Sequence, residues 1–591
     1  MSLLPTRRCL ERMSSAAALA CLAGIAGAEP PMVLDHVPAD APLVISISNV
    51  GELFNDIDAA NLMLGENGNP QAGLITMMGR GMPGMNLEGS AAAVVNFDFA
   101  NPDNMGEDDV IVVLPISDFA AFTQGAEATD GVHQFAFGGN PAFARRAGDG
   151  YAVVGATAES VAAFRADAGN MPAHGQRLGH AGRTIADSAD IAIIANVAPA
   201  RQMMLDGLQD AQQQMLMFAA MGAQGQDVAT PINSMMELVR AYIADAQTST
   251  MGLSYDEGGF TLDWGVQFEE GSASAAQLQT SGDAASMLSR VPGGEYYLAY
   301  ALDLRSPALA DIAGKLEQMN AAMGDAPGAM PGQPQLGDVM KLASGTAGVL
   351  GASPAMMQTG LLANMVSYVR TEDAGAYADM LEASVIDANG QNMQGLSFQT
   401  TFGENAKTVG GVQVDTYGVK MSMDQAAAGG MGGMGSPQQM IGMMFGPSMG
   451  PNGHIAKLDG GVVQTMSPNE TLLARSIDAA KNGNGLGADG RVLAASNRMP
   501  EGSMAQVLIA YNQLANTVGP MAMMFGAIDG FEPINAMDPV ALGLGTQDGG
   551  VHARIFVPGP VVSSAMSFIP EQEDPFADDG WDDDTDEDPE F

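Results

Sequence analysis

Short apolar runs and amphipathic stretches follow one another along this chain in an order that occurs twice. In the first half, Val37-Pro38 leads the apolar run Leu43–Ile47, which reads as a strand, and Val50–Leu64 carries its apolar residues at helical spacing. Two more strands are expected near 90–99 and 109–114, then an Asp-started helix at Asp118–Phe122. A further strand leads through an Asp-Gly turn into the strand Tyr151–Gly155 and a helix capped by Thr157 with Glu159. Ile191–Val197 is a strand feeding a Met-rich helical region. The half closes with a hairpin of Thr250–Tyr255 and Phe260–Phe268 across Gly258-Gly259.

The second half repeats these signals. Val291-Pro292 precedes Tyr296–Leu302, and Pro307–Met323 reads as the matching helix. Strands near 345–351 and 364–369, an Asp373–Leu381 helix, the strand Val462–Thr465 and a helix capped by Ser467 with Pro468 at its first position follow. Ala505–Tyr511 and the hairpin Val540–Thr546/Val551–Val557 across Gly549-Gly550 complete the set. Short identities keep the same order, among them Pro231-Ile-Asn against Pro533-Ile-Asn and Gly252-Leu against Gly543-Leu. The expected fold is α+β: a tandem duplication of a mixed, mostly antiparallel sheet domain covered by helices. Its parts are a signal peptide at 1–28, repeat domains at 29–270 and 286–562, a linker at 271–285 and an acidic tail at 563–591. The Met/Gly/Pro-rich segments Met77–Met85 and 426–452 read as mobile loops.

The opening Val37-Pro-Ala-Asp40 and the Asp149-Gly-Tyr-Ala-Val-Val154 strand–helix unit resemble a loose family of exported bacterial proteins carrying a domain of unknown function. The resemblance covers parts of each half, and the second half departs from it at Gly293-Gly294. It implies export and a fold; the family has no assigned catalytic residues to carry over.

Arg7, Arg8 and Arg12 precede the small apolar stretch Ser14–Ile25, and Ala26-Gly27-Ala28 is an A-x-A site, so cleavage is expected before Glu29. Weaker readings are lipidation at Cys21 and a twin-arginine signal at Arg7-Arg8. Both cysteines, Cys9 and Cys21, lie in this segment, so cleavage leaves no thiol for a disulfide, a nucleophile or a zinc site. Net charge is −44. Such a surface repels nucleic acid and anionic lipid. The stretch 571–591 has 12 acidic and no basic residues, which implies disorder and at most weak cation binding. The longest uncharged stretch, Leu342–Val369, is broken by Gly, Pro354, Gln358 and Asn364, and no integral span is expected after signal removal.

Candidate chemistry is thin. Gly79–Gly84 and Gly430–Gly435 match G-x-G-x-x-G, but neither opens a helix after a strand. Gly446-Pro-Ser-Met-Gly450 matches G-x-S-x-G outside a strand–helix turn. The six histidines, His36, His133, His174, His180, His454 and His552, form no ligand spacing and are expected at the surface or in turns. The 44 methionines include M-x-x-M at Met82/Met85, Met431/Met434 and Met440/Met443, a soft set for Cu(I) or an adaptable filler and contact surface. The expectation is an exported, non-catalytic envelope or extracellular protein, periplasmic or secreted, acting by binding or structure on an envelope or extracellular partner. It needs no cofactor, and no catalytic or metal residue is assigned. The alternatives are a Met-rich Cu(I)-handling protein and a carboxylate-dependent hydrolase.

Overall fold

A computed structural model describes residues 30–566 except 65–69, 97–108, 138–139, 167, 223–228, 257, 308, 311–313, 315–335, 354–355, 394–395, 424–436, 525, 527–529 and 536. The first half contributes strands β1 (Leu43–Ile47), β2 (Ala91–Val95), β3 (Val110–Pro115), β4 (Ala128–Thr129), β5 (Val132–Phe137), β6 (Asn140–Arg146), β7 (Tyr151–Gly155), β8 (Ile191–Asn196), β9 (Ala246–Asp256) and β10 (Gly259–Phe268). The second contributes β11 (Tyr296–Leu302), β12 (Ala343–Gly351), β13 (Met365–Thr371), β14 (Asn392–Met393), β15 (Leu396–Val409), β16 (Val412–Met423), β17 (Asn452–Leu458), β18 (Gly461–Thr465), β19 (Ser503–Ile509), β20 (Val540–Gln547) and β21 (Gly550–Pro558). Helices cover this sheet, all of whose strand pairings are antiparallel, so the fold is α+β.

From its outer edge inward the first half runs β4-β5-β6-β7-β3-β2-β1-β8-β9-β10. The second runs β14-β15-β16-β17-β18-β13-β12-β11-β19-β20-β21, and from β5 and from β16 inward the two orders match position by position. β10 and β21 then pair along their lengths, Gly259 against Pro558 through Gln267 against Gly550, and join the halves into one sheet. Both closing hairpins turn through two residues, Asp256 facing Gly259 and Gln547 facing Gly550. Asp548 and Gly549 take φ of 51° and 74°, the left-handed pair of a type I′ turn, which suits an Asp-Gly sequence.

The helices that matter here are α1 (Val50–Leu64), α2 (Pro70–Arg80), α3 (Met171–Ser188), α4 (Val197–Gly222), α5 (Ala229–Asp245), α6 (Ala374–Asp387), α7 (Glu470–Asn482), α8 (Gly490–Arg498), α9 (Tyr511–Met524) and α10 (Gly559–Met566). One face of the sheet is covered along its length. There Leu178 and Ile185 of α3 join Val44, Val113 and Ile194, and Leu473 and Ile477 of α7 join Ala299, Leu508 and Phe556. The other face is covered near its two ends. Phe54 of α1 packs with Phe119 and Val154 in the first half, and Leu381 of α6 packs with Tyr417 and Ile455 in the second.

Helix starts follow their caps. Asp118 accepts from the amides of Ala120 and Ala121, Asp373 from that of Ala376, and Thr157 from that of Ser160. The expected Ser467 cap is corrected. Ser467 Oγ accepts from the Asn469 amide, and Asn469 is the cap, accepting from Thr471 and Leu472, so α7 begins at Glu470.

The two expected loops are also corrected. Met77 lies in α2, Met82 and Met85 pack against the Phe54 cluster, and Pro437–Phe445 is a helix with Phe445 in the core. Apolar contact outweighed the glycine content there. The 271–285 segment is folded rather than slack: Ala275, Leu278 and Ala284 are buried, and its backbone bonds to Gly502 and Gly549. The helix expected at 307–323, the segment 1–29 and the tail 567–591 lie wholly or largely outside the described residues.

Candidate functional site

At the centre of the sheet the usual sidedness is inverted. On the helix-covered face, β9 and β10 present Thr248, Thr250, Gly252, Asp263 and Gly265, while β20 and β19 present Gly543, Gly545 and Gln506. These are small or polar. The two β9–β10 glycines let α3 press close, because a Cβ at Gly252 would meet Ile185 Cγ2 at 2.6 Å and one at Gly265 would meet Ile185 Cδ1 at 2.8 Å. Apart from Phe556 and Leu508, which are buried on the covered face, the large apolar side chains of these strands point to the opposite, open face.

Register places them in rows. One row runs Ile47, Ile191, Leu253, Leu262, Ile555, Leu542, Val507, Tyr300 across eight strands. The next runs Ile45, Ile193, Met251, Trp264, Ala553, Leu544, Ala505, Leu302. At the spacing of neighbouring strands the face is about 34 Å wide. Trp264 is 49 % exposed, Leu253 46 %, Met251 and Leu262 42 % each, and Ile555 37 %. The seam between the halves runs through the middle of these rows.

Helices border this face. α4 and α5 form an antiparallel pair tied to it through Val197, Tyr242, Val266 and Val551. At the other end of the strands Met63 of α1 reaches Tyr255, whose ring packs on Phe260. Met77 and Met78 of α2, Met203, Met204 and Met217 of α4, Met235 of α5, and Met523 and Met524 of α9 are all exposed. Where α1 crosses the end of β8 and β9, four carboxylates gather. Burial raises the Asp56 carboxyl to about 6, with the like charges of Asp190, Glu52 and Asp256 adding to it. Asp190, which accepts the Tyr255 amide, is also raised, first by burial. Asp256 has an ion pair to Arg498 at 2.7 Å, and among the described residues the other three have none.

Beneath the open face, the seam is held by a buried charged cluster that no local pattern in the chain foretells. Asp263 lies four residues past Gly259, and Arg554 four residues past Gly550. These equivalent positions are cross-strand partners. Arg554 Nε and Nη2 donate to the two carboxylate oxygens of Asp263 at 2.6 and 3.0 Å, and His552 Nε2 lies 2.6 Å from Oδ1. Burial alone would raise the Asp263 carboxyl, but the bonds from His552 and Arg554 outweigh it and hold it below the usual range. Arg554 Nη1 also donates to the Arg498 carbonyl. Both oxygens of Asp263 and all three nitrogens of Arg554 are engaged by the fold, so the cluster fastens two strands.

The surface-or-turn expectation for histidine is corrected at four positions. His36, His174, His454 and His552 are buried. His174 Nε2 donates to the Val37 carbonyl, and His454 Nδ1 lies 3.1 Å from the Ser467 carbonyl. They satisfy interior backbone. Among the described residues no three His, Cys, Asp or Glu side chains come together as a metal site. The Gly79–Gly84 motif serves packing: a Cβ at Gly79 would enter the Phe54 ring, and Gly84 has φ of 73° against the Asp118 carbonyl. Ser448 of the G-x-S-x-G match follows a helix and donates to the Phe445 and Gly450 carbonyls. Gly430–Gly435, Met431 and Met434 lie outside the described residues. Among the described residues no helix is long and apolar enough to cross a membrane. Comparison with known protein families, curated proteins and solved structures finds no match to this chain.

Proposed function

We propose that this is an exported, non-catalytic binding protein, periplasmic or extracellular, built from a duplicated unit and receiving an apolar surface on the open centre of its sheet. The inverted sidedness carries this reading. A sheet that buried its hydrophobic residues for stability alone would turn Leu253, Leu262, Trp264 and Ile555 toward α3 and its glycines outward. Instead Met251, Leu253, Leu262, Trp264, Leu298 and Ile555 stand at 36–49 % exposure. Covering each would contribute about 1 kcal/mol, roughly 6 kcal/mol together. A contiguous apolar face of this width marks an interaction site. The shared strand order of the two halves supports the duplication, and the A-x-A site before Glu29 supports export.

The chain has two tryptophans, Trp264 and Trp581, so Trp581→Phe leaves one reporter in the middle of the face. Titration of that variant with Nile red, an uncharged apolar probe, is expected to saturate and to shift Trp264 emission to the blue. Leu262→Gln with Ile555→Gln should weaken the probe at least tenfold. A Trp264 signal indifferent to the probe would overturn the proposal.

A further inference from the structure

The charge on the chain selects among partners for the apolar face. A second copy would bring two chains of net charge −44 together, and an anionic bilayer would be repelled as well. At the α1 edge of the face, the Asp56 carboxyl is raised first by burial and then by the charges of Asp190, Glu52 and Asp256, and Asp256 pairs with Arg498 at 2.7 Å. Among the described residues no ion pair engages Glu52, Asp56 or Asp190 at that edge, and Leu253, Leu262, Trp264 and Ile555 beside it are exposed. A single ligand type complements both: a helix with one apolar stripe and lysine or arginine along its border. Within these rows the exposed Leu253, Leu262, Trp264 and Ile555 lie on three neighbouring strands, about 10 Å across, which about two turns of helix cover. The exposed methionines of α4 and α5, Met203, Met204, Met217 and Met235, are unbranched and polarisable, and adapt to stripes of differing shape.

We infer that the open face takes a basic amphipathic helical segment of a partner protein, its apolar stripe on Leu253, Leu262, Trp264 and Ile555 and its cations toward Glu52, Asp56 and Asp190. This rests on the apolar-face reading and names the partner's chemistry.

The test uses the full chain carrying Trp581→Phe and three 18-residue peptides: a Leu/Lys amphipathic helix, the same helix with Glu for Lys, and a scrambled Leu/Lys sequence. The Leu/Lys helix should shift Trp264 emission and bind at least tenfold tighter than either of the others. Glu52→Gln, Asp56→Asn and Asp190→Asn together should weaken it about tenfold while leaving Nile red binding unchanged, and added salt should weaken it in parallel. Equal binding of the Glu helix or of the scrambled peptide overturns the inference. So does a carboxylate variant that binds the Leu/Lys helix undiminished. If Nile red still binds in those cases, the apolar-face reading stands without it. If neither probe moves Trp264, both fail.

Discussion

Replacing Arg554 with methionine tests the seam where it is most concentrated. Methionine fills much of the volume of the arginine stem, so the change removes charge and hydrogen bonds more than packing. It takes away two of the three contacts to Asp263, at 2.6 and 3.0 Å, and leaves a carboxylate that is 1 % exposed with His552 as its remaining partner. Breaking a buried ion pair from one side costs about 3–5 kcal/mol, and the retained His552 contact places the expected loss near the lower end, about 3 kcal/mol. Adding Asp263→Leu removes the stranded charge. The double variant should then recover to within about 1 kcal/mol of the parent, about 2 kcal/mol more stable than Arg554→Met alone.

Chemical denaturation followed through Trp264, in the Trp581→Phe background, reads this directly, because Trp264 adjoins Asp263 on β10. The pH dependence has a definite sign. Asp263 has a depressed carboxyl, so its contribution is present above the unfolded-state value and is lost as pH falls through the folded one. Arg554→Met should therefore move the acid-unfolding midpoint to higher pH. A loss under 1 kcal/mol from Arg554→Met, or a double variant no better than the single, would refute the view that this pair fastens the halves.

Three further outcomes are expected. Asp56 has its carboxyl raised to about 6, so its ionisation opposes folding as pH rises from about 4 through 6. Its setting is Glu52 on the same helix, Asp190, and Asp256 with Arg498. Asp56→Asn should then stabilise the protein above pH 6, by about 1 kcal/mol after solvent screening, and change nothing below pH 4, as melting temperature across pH will show. Gly84→Ala should cost about 2–3 kcal/mol in denaturation, because φ of 73° strains any side chain and the Asp118 carbonyl stands where Cβ would go. Expressed in a bacterial host, the exported protein should begin at Glu29 on N-terminal sequencing; a start at lipidated Cys21 would make it a membrane-anchored lipoprotein.

Local signals were legible in the sequence because their physics is local. Asp118, Asp373 and Thr157 cap helices by bonding amides two or three residues on, and Asp548-Gly549 turns a hairpin with its own backbone angles. Where two local solutions compete, the outcome was not legible. Ser467 and Asn469 both suit a cap, and the bond from the Asn469 amide to Ser467 Oγ decides for Asn469. Glycine misled in the Met-rich segments, since Gly79 gives room for the Phe54 ring inside a helix rather than breaking it. The seam was hidden for a different reason. Asp263 and Arg554 meet because strands 291 positions apart are equivalent and pair about their common centre, and nothing near either residue encodes the other. The open face lay in between. Thr250-Met251-Gly252-Leu253 and Leu262-Asp263-Trp264-Gly265 alternate large with small or polar, which predicts strands with two unlike faces. That pattern ordinarily puts the large residues inside. Here α3 takes the small-residue face, where Gly252 and Gly265 leave room for Ile185, and the large residues stand on the open face.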